Sequence, residues 1–167
     1  MSTSYNTILG TDTANTLLGT SGADSIVALN GNDTVNGVGG ADIIDLGGGN
    51  DVAILSAAAD SASILGQGGN DTLSFTVTMN SATIGGGEGN DSIFLSVAPT
   101  AAQLRGGAGS DTLAINGSLI SSTITGAGTG VAEDDGSDSI SIAGSLSAGY
   151  IQGNKGNDTI QINGAVV

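Results

Sequence analysis

The chain has 167 residues, of which 30 are glycine, one is proline and none is cysteine, histidine or tryptophan. Its net charge of −14, with Arg105 and Lys155 as the two basic residues, excludes nucleic acid and anionic membrane surfaces as partners because both would repel it. Without histidine or cysteine it cannot form Ser-His or Cys-His nucleophile systems, so we expect that it is not an enzyme.

Residues 1–9 precede the first repeat, and we assign them to an N-terminal strand or edge segment. Residues 1–20 have neither a basic start nor an apolar h-region, so the sequence predicts no cleaved signal peptide. No apolar stretch approaches the length that a membrane span needs, and we expect no membrane insertion.

Residues 10–54 form a tandem array with a period of nine. The first repeat is degenerate, because Asn15 occupies the position where the other repeats have aspartate. The five units are Gly10–Leu18, Gly19–Val27, Ala28–Asn36, Gly37–Asp45 and Leu46–Ile54.

Residues 55–167 continue the same domain with a period of 20 in place of nine. Each of these longer repeats keeps one glycine-aspartate turn, and its other half is an ordinary polar segment. The interval from Asp111 to Asp138 exceeds this period by seven, and we place the insertion in a loop near Gly126–Glu133.

Nine aspartates recur in the same slot of these repeats, and the intervals between them run 9, 9, 9, 20, 20, 20, 27, 20. They are the predicted metal ligands: Asp24, Asp33, Asp42, Asp51, Asp71, Asp91, Asp111, Asp138 and Asp158. Glycine lets the backbone turn its carbonyls inward, and aspartate adds charge, which is the ligand set that hard cations prefer. Aspartate is also a common turn residue, but its recurrence in one slot nine times favours ligation.

The aliphatic residues keep the same interval and alternate with polar ones, as in Ile93-Phe94-Leu95-Ser96-Val97. This pattern is typical of strands with one buried face. Equal spacing of matching residues predicts an all-β fold in which each repeat stacks on the last, a parallel β-solenoid of roughly seven or eight coils with no helix.

Stacking sorts the aspartates into columns, because residues one coil apart lie on the same edge. Seven of them, from Asp33 to Asp158, then form one column, and Asp24 and Asp42 begin a second column on the opposite edge. Asp60 could extend the second column, although the segment around it has no glycine. Six gaps in the first column and one in the second predict roughly six to eight Ca²⁺ ions.

The repeats resemble the Gly-Gly-x-Gly-x-Asp-x-(aliphatic)-x signature of the repeats-in-toxin (RTX) family. The segments that carry the resemblance are Gly19–Val27, Ala28–Asn36, Gly37–Asp45, Gly66–Ser74, Gly86–Phe94, Gly106–Ala114 and Gly153–Gln161. The chain departs from the family in its longer repeats, which fill one edge with glycine-aspartate turns where tandem nonapeptides fill both.

The resemblance implies a right-handed parallel β-roll with calcium between adjacent turns, held by turn carbonyls and aspartate carboxylates. It also implies export by a type I system without a cleaved N-terminal signal, and folding outside the cell.

Two functions remain open at this stage. The first is a calcium-binding structural protein that folds on binding calcium and assembles head to tail with itself into extracellular filaments, matrix or a surface layer, with Ser4–Leu9 pairing to the Thr159–Val167 end of a neighbour. The second is a calcium-dependent adhesin or polysaccharide-binding β-roll module of a larger secreted enzyme or toxin. An ice-binding surface is disfavoured, because the turn positions hold no array of threonine or asparagine.

Overall fold

The computed structural model describes residues 4–127 and 136–167. Most of the loop expected near Gly126–Glu133 lies outside the described residues. All the regular secondary structure in the described part of the chain is β-strand, and no helix there could span a membrane.

The strands are short, between two and six residues, as expected for coils that repeat every 18 or 20 positions with a turn at each edge. In chain order they are β1 (Asn6–Leu9), β2 (Thr16–Leu18), β3 (Asp24–Val27), β4 (Thr34–Asn36), β5 (Ile43–Asp45), β6 (Val52–Leu55), β7 (Ser63–Gly68), β8 (Thr72–Phe75), β9 (Thr83–Glu88), β10 (Ser92–Leu95), β11 (Gln103–Ala108), β12 (Thr112–Ile115), β13 (Leu119–Ile120), β14 (Thr123–Ala127), β15 (Ser139–Ile142), β16 (Leu146–Ser147), β17 (Tyr150–Gln152) and β18 (Thr159–Ile162).

Two eight-stranded parallel sheets face each other. The first has the order β1-β3-β5-β7-β9-β11-β14-β17, and the second has the order β2-β4-β6-β8-β10-β12-β15-β18. Each coil therefore contributes one strand to each sheet, and every strand pairs with its equivalent one coil away. The predicted β-solenoid is confirmed, and the arrangement is consistent with a right-handed β-roll.

The core is a set of single-residue columns between the two sheets. Ile64, Ile84, Leu104 and Ile124 are in register and fully buried, as their spacing predicts. The register continues from Ile124 to Ile151 across the longest interval, so the extra residues do not shift the strands. Narrow aliphatic columns explain how a chain with 2% aromatic residues has a continuous core.

The columns lose their burial at the C-terminal end. Ile160 is in register with Ile140, yet Ile160 is 45% exposed and Ile140 is 1% exposed. The difference arises because no further coil of the described chain covers Ile160. Its position was predicted, but its exposure depends on where the stack ends.

A third, two-stranded parallel sheet joins β13 to β16 along the edge opposite the main aspartate column. Thr100 and Val166 extend it as isolated bridges to Ile120 and Leu146. The sequence predicts only plain polar segments here, because runs of two residues are too short to show a strand periodicity.

Candidate metal centre

The aspartate slots lie where each glycine turn enters a strand, and the carboxylates point inward. Eight of the nine predicted ligands are at most 3% exposed, namely Asp24, Asp33, Asp42, Asp51, Asp71, Asp91, Asp111 and Asp138. Asp158, in the last coil, is half-buried. Acidic side chains are almost never fully buried unless they are paired, so this column needs a physical explanation.

One oxygen of each carboxylate is engaged by the coil before it. The backbone N–H of Asp71 donates to Oδ1 of Asp91 at 2.8 Å, and the N–H of Asp91 donates to Oδ1 of Asp111 at 2.7 Å. The same bond recurs along the main column and once on the opposite edge, in the pairs Asn15–Asp33, Asp33–Asp51, Asp51–Asp71, Asp111–Asp138, Asp138–Asp158 and Asp24–Asp42. These bonds fix the height and orientation of every carboxylate.

The second oxygen of these carboxylates faces the glycine turn. Among the described residues, Oδ2 is buried without a hydrogen-bond partner in Asp33, Asp42, Asp51, Asp71 and Asp91. A buried unpaired carboxylate oxygen is costly. Its repetition at the same place in successive coils points to a ligand that supplies positive charge.

Glycine at the start of most of these turns keeps the space beside Oδ2 open, whereas Ala28 and Leu46 hold that position in the turns of Asp33 and Asp51. A methyl group added at Gly86 would overlap both Oδ2 of Asp91 and the carbonyl oxygen of Gly106 in the next coil. Gly66 and Gly106 are enclosed in the same way by the carboxylate of their own turn and a carbonyl of the next. We call each such position a cradle. In each cradle, a carboxylate oxygen and a backbone carbonyl oxygen lie within contact distance of the same small volume.

Burial raises the pKa of these carboxyls in the metal-free fold. For Asp91 burial is the largest cause, a backbone hydrogen bond from Asp71 opposes it, and the charges of Asp111 and Asp71 add to it, which brings the pKa to about 7. The pKa of Asp71 rises to about 6 for the same reasons, and those of Asp42 and Asp51 are also raised. Ionising this column without a cation is therefore unfavourable.

Asp24 behaves differently. Burial again raises its pKa, but hydrogen bonds from the Thr20 backbone, the Asn6 side chain and the Thr20 hydroxyl outweigh burial and lower it. Its two oxygens are both engaged by protein donors, at 2.6 Å from Thr20 N and 2.9 Å from Asn6 Nδ2.

A second row of hydrogen bonds runs beside the row formed by the aspartates. In this row the backbone N–H belongs to the later coil and the accepting side chain to the earlier one. In the main column from Asp33 to Asp138, the side chain before the aspartate accepts a bond from the backbone of the next coil, as in Asn70 N–H to Oδ1 of Asn50 and Asn90 N–H to Oδ1 of Asn70, both at 2.7 Å. Ser110 and Ser137 continue it with their hydroxyls. This row was not predicted, although the repeated asparagine next to aspartate was a visible signal for it.

The second column ends after two carboxylates. Asp42 precedes Ile43, which pairs with Ser63, so Ala62 occupies the next rung on that edge. Asp60 is exposed and accepts a bond from Asn80 N–H instead. The possibility that Asp60 extends the column is wrong, because the turn before β7 is two residues longer and shifts it out of register.

The arrangement fits Ca²⁺ as a cation shared between coils. No point in the described residues is surrounded by three or more acidic or histidine side chains. Each gap between two successive aspartates of a column instead offers two carboxylates, and in the coils of Gly66, Gly86 and Gly106 a backbone carbonyl of the next turn lies beside them. These are all oxygen ligands, and Ca²⁺ takes six to eight of them.

The family model of the RTX calcium-binding nonapeptide repeat matches four copies in this chain, over residues 9–41, 18–53 and 144–161. The matched segments are RTX calcium-binding repeats and support an RTX-family repeat protein. RTX nonapeptide repeats bind calcium, which agrees with the oxygen cradles. A search of curated proteins gave no match to the chain.

The matches leave out residues 54–143, which contain most of the longer coils. In this segment the same hydrogen bond from the preceding coil to Oδ1 is present as in the matched repeats, at Asp71, Asp91, Asp111 and Asp138. The geometry of the candidate site is thus continuous through the part of the chain where the repeat signature is diluted.

Proposed function

We propose that this protein is a secreted structural RTX protein that folds when calcium binds and then assembles end to end outside the cell. The observation that carries the folding step is the row of buried Oδ2 atoms without a hydrogen-bond partner in Asp33, Asp42, Asp51, Asp71 and Asp91. Without a cation these groups oppose the fold, and with one they hold adjacent coils together.

Calcium would be held by Asp33, Asp51, Asp71, Asp91, Asp111, Asp138 and Asp158 on one edge and by Asp24 and Asp42 on the other, together with turn carbonyls. When bound, the ion supplies the positive charge that neutralises paired carboxylates in adjacent coils. The chain itself orients each carboxylate through its Oδ1 bond, and glycine keeps side chains out of the cradles at Gly66, Gly86 and Gly106. Binding and folding are then one equilibrium, because the cradle spans two coils and does not exist in the unfolded chain.

The two ends of the described stack support the assembly step. Strands β1 and β2 have one unpaired side at one end, and β17 and β18 have one at the other. A copy that continues both sheets would pair Asn6–Leu9 with Tyr150–Gln152 and Thr16–Leu18 with Thr159–Ile162. This pairing replaces the one expected from the sequence, because Asn6–Leu9 and Thr159–Ile162 belong to different sheets.

The proposed contact would cover Ile160, which the separate chain exposes, and complete the burial of Ile8, Leu17 and Ile151, which are partly buried. Ile151 would lie over Ile8 of the next copy, and Ile160, which is 45% exposed, would lie over Leu17. Contacts between non-identical ends propagate, so the expected product is a filament and not a closed dimer.

The experiment is a calcium titration of the purified chain, followed by circular dichroism, light scattering and electron microscopy, with Mg²⁺ and EGTA as controls. We expect β-signal, compaction and fibres with Ca²⁺ alone. An unchanged β-signal after exhaustive EGTA treatment, with no heat on returning calcium, would contradict the folding step. Folded, monodisperse particles in calcium would contradict assembly and favour the adhesin or polysaccharide-binding module.

A further inference from the structure

We propose that the first coil, residues 6–18, is a neutral cap that ends both aspartate columns and binds no calcium against the second coil. Two asparagines, Asn6 and Asn15, occupy the slots that aspartate fills in later coils. The inference deepens the proposed function and rests on calcium binding by the remaining gaps.

Asn15 reproduces the aspartate slot of the main column without its charge. Strand β2 is in register with β4, which places Asn15 one coil before Asp33, and Asn15 N–H donates to Oδ1 of Asp33 at 2.6 Å. Its own Oδ1 lies against Gly10 and accepts the Thr11 N–H at 2.6 Å. The equivalent bond in the next turn runs from the N–H of Thr20 to the carboxylate oxygen Oδ2 of Asp24, also at 2.6 Å.

Asn6 occupies the corresponding slot of the second column. It is in register with Asp24, and its amide Nδ2 donates to Oδ1 of Asp24 at 2.9 Å. In the following gap, the equivalent oxygen, Oδ1 of Asp42, accepts the backbone N–H of Asp24 instead of a side-chain amide. The Asn6 amide thus points a donor hydrogen at the carboxylate, and a donor is electrostatically unfavourable to a cation in the same place.

The two amides change the charge of the first gap on both edges. The six later gaps of the main column and the Asp24–Asp42 gap each lie between two carboxylates, whereas the Asn6–Asp24 and Asn15–Asp33 gaps contain one each. Calcium affinity falls as the number of charged ligands falls. The predicted occupied gaps are therefore the six from Asp33 to Asp158 and the one between Asp24 and Asp42.

Asparagine also suits an edge with no described coil before it. A carboxylate in this slot would have one oxygen facing its own turn. Its other oxygen would lack the N–H donor that a preceding coil supplies to the later aspartates. The amide satisfies its own turn and adds no charge. The opposite end is different, because Asp158 ends the column with a carboxylate, so a head-to-tail junction would contain one carboxylate and would depend on strand pairing and apolar contact.

The deciding experiment counts bound calcium by native mass spectrometry of the full chain at a calcium concentration that just saturates the wild type. Asp33→Asn should lose one ion, because Asp33 shares an occupied gap with Asp51 alone. Asp91→Asn should lose two, because Asp91 borders two occupied gaps. Asn15→Asp and Asn6→Asp should each gain one, and Asn116→Asp, an exposed site away from the glycine turns, should gain none.

Loss of two ions in Asp33→Asn would overturn the cap, since it would place calcium between Asn15 and Asp33. An unchanged count in a folded Asn15→Asp chain would overturn it as well. If either gain variant fails to fold, the comparison of Asp33→Asn with Asp91→Asn still decides the question. A wild-type chain that binds no calcium would contradict the proposed function itself, which is a separate result.

Discussion

Each aspartate of the ladder uses its two oxygens differently. In Asp91, Oδ1 accepts the N–H of Asp71, a bond that asparagine could also accept, while Oδ2 is buried with no hydrogen-bond partner among the described residues. The first oxygen is structural, and the second is the one available to a cation. The distinction matters for mutagenesis, because a change from Asp to Asn removes the charge and keeps the Oδ1 bond.

Asp91→Asn should therefore have opposite effects with and without calcium. In calcium, we expect the concentration needed for half-folding to rise at least about tenfold, because two gaps lose a charged ligand. In EGTA, the variant should form more β-structure than the wild type, because a buried carboxylate with a raised pKa is gone. Calcium titrations and EGTA spectra by circular dichroism measure both.

The matched control is Asp60→Asn, which makes the same charge change at an exposed site that also accepts a backbone N–H. It should leave the calcium midpoint within about twofold. Equal shifts in the two variants would mean that overall charge, and not the aspartate slot, controls folding.

Gly106 tests the cradle sterically. A methyl group there would overlap Oδ2 of Asp111 and the carbonyl oxygen of Gly126, so Gly106→Ala should displace both. We expect a loss of stability in calcium of about 1–3 kcal/mol, the usual cost of overpacking. Thermal unfolding in calcium measures it.

Gly68→Ala is the comparison variant, because a methyl group at Gly68 meets no atom within 4 Å. It should unfold near the wild-type temperature. If the two alanine variants are equally destabilised, the effect comes from backbone entropy or strand propensity and the cradle explanation fails.

At the scale of the strands, the longer coil differs from the nonapeptide pair at the second edge. Each longer coil turns there through a residue in the left-handed region, at Ser61, Ser81, Ala101, Ser121 and Ala148, with φ between 50° and 64°. Residues other than glycine and asparagine adopt this region at a cost of roughly 1–2 kcal/mol. These turns lack the glycine-aspartate motif of the main column, and the short β13–β16 sheet lies along the same edge.

Ala101→Gly should relieve this strain. We expect it to raise the free energy of unfolding in calcium by up to about 1 kcal/mol, the strain relief being partly offset by the extra entropy of glycine in the unfolded chain. Chemical denaturation with calcium present provides the measurement.

Ala114→Gly, in the middle of β12, is the reference for introducing glycine where no left-handed strain can be relieved, because Ala114 does not have a positive φ. It should destabilise by about 0.5–1 kcal/mol. A destabilised Ala101→Gly variant would show that the left-handed turn carries no recoverable strain.

At the scale of the whole molecule, the net charge of −14 and the buried carboxylates make the metal-free fold dependent on pH. Burial raises the pKa of Asp91 from 3.8 to about 7 and that of Asp71 from 3.8 to about 6. Between these values and 3.8 the folded chain binds protons that the unfolded chain does not, so its stability rises as pH falls.

In EGTA, lowering the pH from about 8 to about 5 should therefore increase β-structure, with the change centred near the raised pKa values. In calcium the dependence should reverse, because protons compete with the ion for the same carboxylates. Circular dichroism at a series of pH values, with and without EGTA, tests both signs. A metal-free spectrum that does not change over this range would contradict the raised pKa values.

Much of this fold follows from sequence spacing. The two repeat periods predicted the stacked parallel coils, and the columns through Ile64, Ile84 and Leu104 proved to be in register. The predictions succeeded because a solenoid brings together residues that are one period apart, so that sequence distance and spatial distance carry the same information. The RTX repeat and its calcium chemistry could be recognised for the same reason.

Other properties were decided by the tertiary structure alone. The sequence could not show which oxygen of each aspartate is engaged, that Ala62 and not Asp60 follows Asp42, or that Ile160 is exposed while Ile140 is buried. Each depends on the exact path of a turn or on the place where the stack ends, and neither is periodic. The repeat therefore determined what each coil contains, and the contacts between coils determined which atoms are left for a metal.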